Sequence, residues 1–167
     1  MAIPSLALDR PSGRALHRAQ DVASPAATAF ARVCDVESWP VWLSFLRSAR
    51  RTEPLAPFAL GSEVAIRSQL PGDDEELFEV DRFIAGHHIS LVGAYSCRRR
   101  IDFRIEQKSE RSKIVVRVDY PTYGGIFGAL VDRFTRRRQL DGALANSLLH
   151  FKGLVEFERE DGILVDF

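Results

Sequence analysis

The chain has 167 residues, 46% apolar and 28% charged, with a formal net charge of zero. That length and mix fit one soluble domain with a sizeable core. The balanced charge argues against a nucleic-acid partner, which a basic excess would announce. Arginine outnumbers lysine 20 to 3, a skew that resembles a coding bias. The clusters at 47–51, 98–100 and 136–138 therefore read as solvated faces first, and as docking points for an acidic membrane surface or a protein second.

Met1–Gly13 has neither a basic start nor a long apolar run, so it does not read as a signal peptide. The longest apolar patch, 124–131, is far short of the ~20 residues of a membrane span. A cytoplasmic protein is expected, with residues 1–12 a loose tail. Arg14 to Val22 alternates as a first strand. Ser24-Pro25 then predicts a helix start, with serine as N-cap and proline at the first helical position. Ala26–Cys34 is helical, and Asp35 caps a second short helix running through Trp42 to Leu46.

From Arg47 the period changes to two, and Arg47–Glu53 is the second strand. The loop PLAPFALG follows, and Val64, Ile66, Ser68 and Leu70 alternate with Ala65, Arg67 and Gln69. PGDD turns the chain into a strand over Glu76–Ala85, and Gly86 turns it into His88–Tyr95. Ile101, Phe103 and Ile105 alternate with charged residues, as do Val116, Val118 and Tyr120. Closely spaced strands with short turns predict a meandering antiparallel sheet with one wet face. Phe83 breaks the alternation of Phe78, Val80 and Ile84, and a bulge near Arg82 would change its face.

After Pro121 and Gly124-Gly125 the period returns to 3.6, predicting one helix from Ile126 to about Glu158. Leu130, Leu144, Leu148, Phe151 and Val155 form its apolar stripe. A single long helix covers a seven-stranded sheet only if the sheet curls around it. The fold class is therefore α+β, with the two short helices plugging the end between strands one and two.

That order of elements resembles the START-like, or SRPBCC, superfamily with its helix-grip fold. The residues that carry the resemblance are ASPAATAFARVCDVESWPVWLSFLRSARR (Ala23–Arg51), Gly61-Ser62 before the third strand, and LDGALANSLLHFKGLVE (Leu140–Glu156). It covers residues 13 to about 158, leaving 159–167 as a tail, and is most similar to the bacterial polyketide cyclase/dehydrase and lipid-transport group. The resemblance implies an internal cavity and a hydrophobic small-molecule partner such as a lipid, quinone, polyketide or aromatic metabolite. It implies no cofactor.

Trp39 and Trp42 share a helical face around Pro40. They close the end of the barrel, and Trp42 with Phe45 also lines its entrance. Ile66, Leu91, Phe103, Val118, Leu130 and Leu144 are the other expected apolar lining. Tyr95 and Tyr120 fall on inward faces, where a phenol needs a partner, more readily a backbone carbonyl than a ligand oxygen. Arg133 and Arg137 fall near the middle of the helix stripe, where an unpaired guanidinium is too costly to bury. Three readings stay open: a late helix start near Gln139, first turns overhanging into water, or an arginine at the cavity mouth holding a carboxylate.

His17 is a cavity acid/base only if Ala15 and Ala19 face inward. His87 and His88, adjacent in a strand, point to opposite faces and cannot share a metal. Glu79 and Asp81 share a face read as wet. Cys34 and Cys97 fit no metal or CxxC spacing and read as two buried free thiols more readily than as a disulfide. No catalytic constellation is evident, so a binding protein is preferred over a cyclase or dehydratase, and both over a surface interaction module.

Overall fold

A computed structural model describes residues 14–69, 75–95, 99–120 and 137–163. Seven strands form one curled antiparallel sheet: β1 (Arg14–Val22), β2 (Leu46–Arg51), β3 (Glu63–Ser68), β4 (Glu76–Ile84), β5 (His88–Gly93), β6 (Arg100–Lys108) and β7 (Arg111–Tyr120). Their order across the sheet is β1-β7-β6-β5-β4-β3-β2. The strands β2 to β7 pair in chain order as a meander, with a longer loop over 52–62 between β2 and β3, while β1 crosses to pair with β7 along its whole length, Arg14 opposite Tyr120 through Val22 opposite Ser112. The chain between β1 and β2 holds α1 (Ala26–Cys34), a 3-10 turn at Val36–Ser38 and α2 (Trp39–Trp42). The long C-terminal helix is α3 (Arg137–Ile163).

The period-two residues sort as alternation requires. Leu16, Val80, Leu91, Ile101, Phe103, Ile105, Ile114 and Val116 are buried on the concave face. There they meet Leu140, Leu144, Leu148, Phe151 and Val155 of α3, all in one cluster. Leu140 heads the helix stripe in this structure; Leu130 and Arg133 lie outside the described residues. The helix runs to Ile163, past the expected end at 158, so the first part of the expected C-terminal tail is helical.

Polar groups fasten α3 to the middle of β1 and just past its C-terminal end. Arg18 Nε donates to Asp141 Oδ1 at 2.8 Å, and Glu156 Oε1 accepts from the Ala23 N–H at 2.7 Å. The guanidinium of Arg18 holds the Asp141 carboxyl below the usual carboxylate range. The β2–β3 loop is closed by Gly61, whose φ of 82° favours glycine. Gly61 N donates to Val80 O and Val80 N to Ser62 O, each at 2.9 Å.

Several local expectations change. The cap of α1 is Pro25 without a side-chain bond, and Ser24 is instead fully buried. Asp35 makes no side-chain cap because its carboxylate faces Arg32 at 3.3 Å. The second helix stops at Trp42, since Leu46 is already in β2. The bulge falls where expected, between Val80 and Arg82. It turns Phe83 toward the core, between Phe30 and Phe58 at centroid distances of 5.8 and 6.0 Å, and leaves Ile84 exposed. Cys34 is a half-buried free thiol whose pKa burial pushes up to about 11; Cys97 lies outside the described residues.

Candidate functional site

The plug between β1 and β2 is built around two indoles. Pro40, in the first turn of α2, starts the helix where a missing N–H costs nothing. Both tryptophans are fully buried. Trp39 lies 5.2 Å from the Phe103 ring, and its Nε1 donates to Val33 O at 2.8 Å. Trp42 lies 6.0 Å from Phe103 and 4.7 Å from Phe151, edge-on to both. Among the described residues its Nε1–H has no acceptor within reach. The two side chains thus have the same burial and opposite polar states. A second fastening follows at once: Ser147 Oγ on α3 accepts from the Ser44 N–H at 2.9 Å, and Ser44 Oγ donates to Ala143 O at 3.0 Å.

The structure gathers most of the expected lining into one apolar body. Trp42, Phe45, Ile66, Leu91, Phe103 and Leu144 are buried in a single cluster, and Val118 packs against it half-buried. The layering comes from register: Leu91 stands opposite Ile101 and Ile101 opposite Val118. Burial alone does not separate a core position from a lining position.

Two expected site residues fall outside it. Tyr95 is 87% exposed: β5 ends at Gly93, so the alternation that pointed Tyr95 inward stops two residues short of it. Arg137, the first residue of described α3, is exposed, which agrees with a late helix start and with an overhanging turn alike and not with a guanidinium in the interior. The Tyr120 side chain and Leu130 lie outside the described residues. His17 is exposed because Leu16, its neighbour, takes the inward side of β1. A hollow of about 320 Å³ lined by Arg51, Thr52, Glu53, Ala56, Gly61, Ser62 and Glu63 is a separate, polar feature at the β2–β3 end.

No family model and no curated protein matches the sequence. Solved structures do match in shape. The Zhui aromatase/cyclase from a Streptomyces strain superposes with a TM-score of 0.66 at 14% identity, over 86% of this chain and 93% of that one. A START superfamily protein from Mycobacterium smegmatis gives 0.62 at 18%, over 86% and 98%. A polyketide-cyclase-like protein from Corynebacterium glutamicum gives 0.62 at 15%, over 90% and 96%. The chain has the START-like, helix-grip fold. Identity this low carries the architecture and not the chemistry.

On the convex face of this START-like sheet lies a polar cluster that alternation alone read as wet. His88, Ser90, Asp102 and Asp119 are all buried there. Ser90 stands opposite Asp102 and Asp102 opposite Arg117. Arg100 Nη1 donates to Ser90 Oγ at 2.7 Å and its Nη2 meets Asp81 at 2.8 Å. Arg104 Nε donates to Asp102 at 3.1 Å, and Arg117 grips Asp119 at 2.7 and 3.2 Å. His88 Nε2 comes within 3.0 Å of Asp102 Oδ1, at an angle that makes no hydrogen bond. Long arginine side chains lying across the strands exclude water from the shorter groups beneath. The sequence signal was the cross-strand matching of Arg and Asp, visible only once register is known. Among the described residues no group of three His, Cys, Asp or Glu is placed to hold a metal, and no helix is long and apolar enough to cross a membrane.

Proposed function

We propose that this chain binds a hydrophobic or amphipathic small molecule, such as a lipid, quinone, polyketide or aromatic metabolite, between the concave face of the sheet and α3. The observation that carries the reading is the Trp42 Nε1–H, a donor buried between Phe103 and Phe151 with no acceptor among the described residues. A buried donor left unpaired costs about 1–3 kcal/mol. A ligand oxygen placed beside that indole, as a carbonyl, ether or carboxylate, removes the cost. Apolar ligand area would supply most of the affinity, at roughly 25 cal/mol per Å². The indole would set orientation, as a few polar groups do in mostly apolar sites. Leu91, Phe103 and Leu144 are the proposed apolar contacts, with Phe45, Ile66 and Val118 flanking them. The shape match to an aromatase/cyclase and to a START superfamily protein supports the same choice.

The enzymatic alternative, a cyclase or dehydratase, needs two titratable side chains facing one another inside that space. The buried titratable side chains among the described residues, His88, Asp102 and Asp119, sit on the opposite face of the sheet and give it no support. The test is native mass spectrometry of the protein purified from cells, then of protein offered a fatty acid, a naphthoquinone or a flat polycyclic aromatic. Wild type is expected to retain one of these classes, and W42F to retain it about tenfold less, the value of one hydrogen bond. A wild-type protein that takes up none of them, or a W42F protein that binds as well, overturns the proposal.

A further inference from the structure

The buried polar groups divide by face. Among the described residues the buried side chains that ionise, His88, Asp102 and Asp119, stand on the convex face. On the inner side the side-chain atoms left without a partner are the Trp42 Nε1–H and the hydroxyls of Ser24 and Ser112, none of them charged. Ser112 shares its face of β7 with the buried Ile114 and Val116, opposite Val22 of β1, so it belongs to the interior as Trp42 does. The charged groups where β1 meets α3 are already engaged. Arg18 holds Asp141, Arg137 is near enough to act on the same carboxylate, and Glu156 accepts from the Ala23 N–H. The inner side thus offers polar groups that can donate, and the described cations stay outside it.

We infer that the site beside Trp42 takes an uncharged molecule bearing an acceptor oxygen, such as a ketone, quinone, ester or amide, and rejects the ionised form of an acid. This rests on the reading of the Trp42 site given above and narrows it. An indole brings one donor and no charge. A carboxylate moved beside it, between the rings of Phe103 and Phe151, would lose its hydration and gain one hydrogen bond and no counter-ion. The penalty for burying an unpaired ion exceeds what a single hydrogen bond returns. A carbonyl loses far less hydration, and one N–H replaces much of it. An acid therefore enters in its protonated form, taking up one proton from solution as it binds.

Equilibrium dialysis with one skeleton carrying three different ends tests this: methyl 2-naphthoate, 2-methylnaphthalene and 2-naphthoic acid, with methyl dodecanoate and dodecanoic acid as an aliphatic pair. For wild type the ester is expected to bind equally well from about pH 6 to about pH 8, and the hydrocarbon about tenfold more weakly, the value of one hydrogen bond. The acid should bind more weakly than its ester, and its affinity should fall about tenfold for each pH unit above its own pKa, because only the protonated form enters. The ester, which does not titrate, reports any pH effect that belongs to the protein. In W42F the ester should fall to the level of the hydrocarbon, while a urea titration shows that the variant folds. An acid that binds within about threefold of its ester and is indifferent to pH overturns the inference and leaves the binding site standing; weakening of that acid by R133A or R137A would name the cation that holds it. A protein that binds none of the five overturns the reading of the Trp42 site itself, and this inference with it.

Discussion

Replacing Trp39 and Trp42 in turn by phenylalanine isolates the energetic consequence of one unpaired N–H. Both indoles are fully buried, both stand in α2 and both contact Phe103. Both substitutions remove the same atoms, so the loss of packing is similar and largely cancels in the difference. At Trp39 the change also removes a buried hydrogen bond to Val33 O, a net loss of about 1 kcal/mol. At Trp42 it removes a donor with no acceptor among the described residues and relieves about 1–3 kcal/mol. W39F should therefore be less stable than W42F by about 2–4 kcal/mol, with W42F close to wild type. The assay is urea unfolding of ligand-free protein, comparing midpoints at a common slope. Equal destabilisation by the two changes, or a larger loss for W42F, would refute the reasoning, because Trp42 would then have a partner worth as much as Val33 O.

Other consequences follow from single residues. Asp102 is buried beneath Arg104 and His88, so D102A should lower stability by about 2–3 kcal/mol in a urea titration, while E79A on the wet face should change it by less than about 0.5. S147A leaves the Ser44 N–H without its acceptor and should cost about 1–3 kcal/mol; faster hydrogen exchange at the Ser44 amide would report the lost fastening. The Asp141 carboxyl is held low by the Arg18 hydrogen bond, so its contribution is present above the unfolded value of about 3.9 and is lost as pH falls through the lower folded value. The stability gap between wild type and D141N should thus be full at neutral pH and close in acid; a gap that widens on acidification would contradict the sign.

The sheet and the long helix were legible because their periods are long and regular. Alternation placed Leu91, Phe103 and Val118 on one face, and the 3.6 period placed Leu144 and Phe151 on another. The break at Phe83 even marked its own bulge, since an aromatic out of phase in a strand is reconciled by one extra residue. Where a period is short or ends, the reading failed. Tyr95 was carried inward by an alternation that β5 abandons at Gly93, and the strand end depends on pairing with β4 and β6 rather than on local preference. Ser24 looked like a cap because local rules favour it, yet packing draws it inside and leaves Pro25 at the helix start.

Local sequence, then, was enough for the architecture and for the identity of the plug. Hydrophobic periodicity dictates which faces must be buried, and few arrangements of seven strands and one long helix bury them. It was not enough for the state of any polar group. Whether an indole N–H meets a carbonyl, as in Trp39, or nothing, as in Trp42, depends on atoms from distant segments meeting within 3 Å or so. The same holds for His88, Ser90 and Asp102: each is polar on a nominally wet face, and only the register of four strands brings arginines over them. Tertiary structure decides such states because desolvation and hydrogen bonding depend on a group's whole surroundings, of which the neighbouring residues in the chain are a small part.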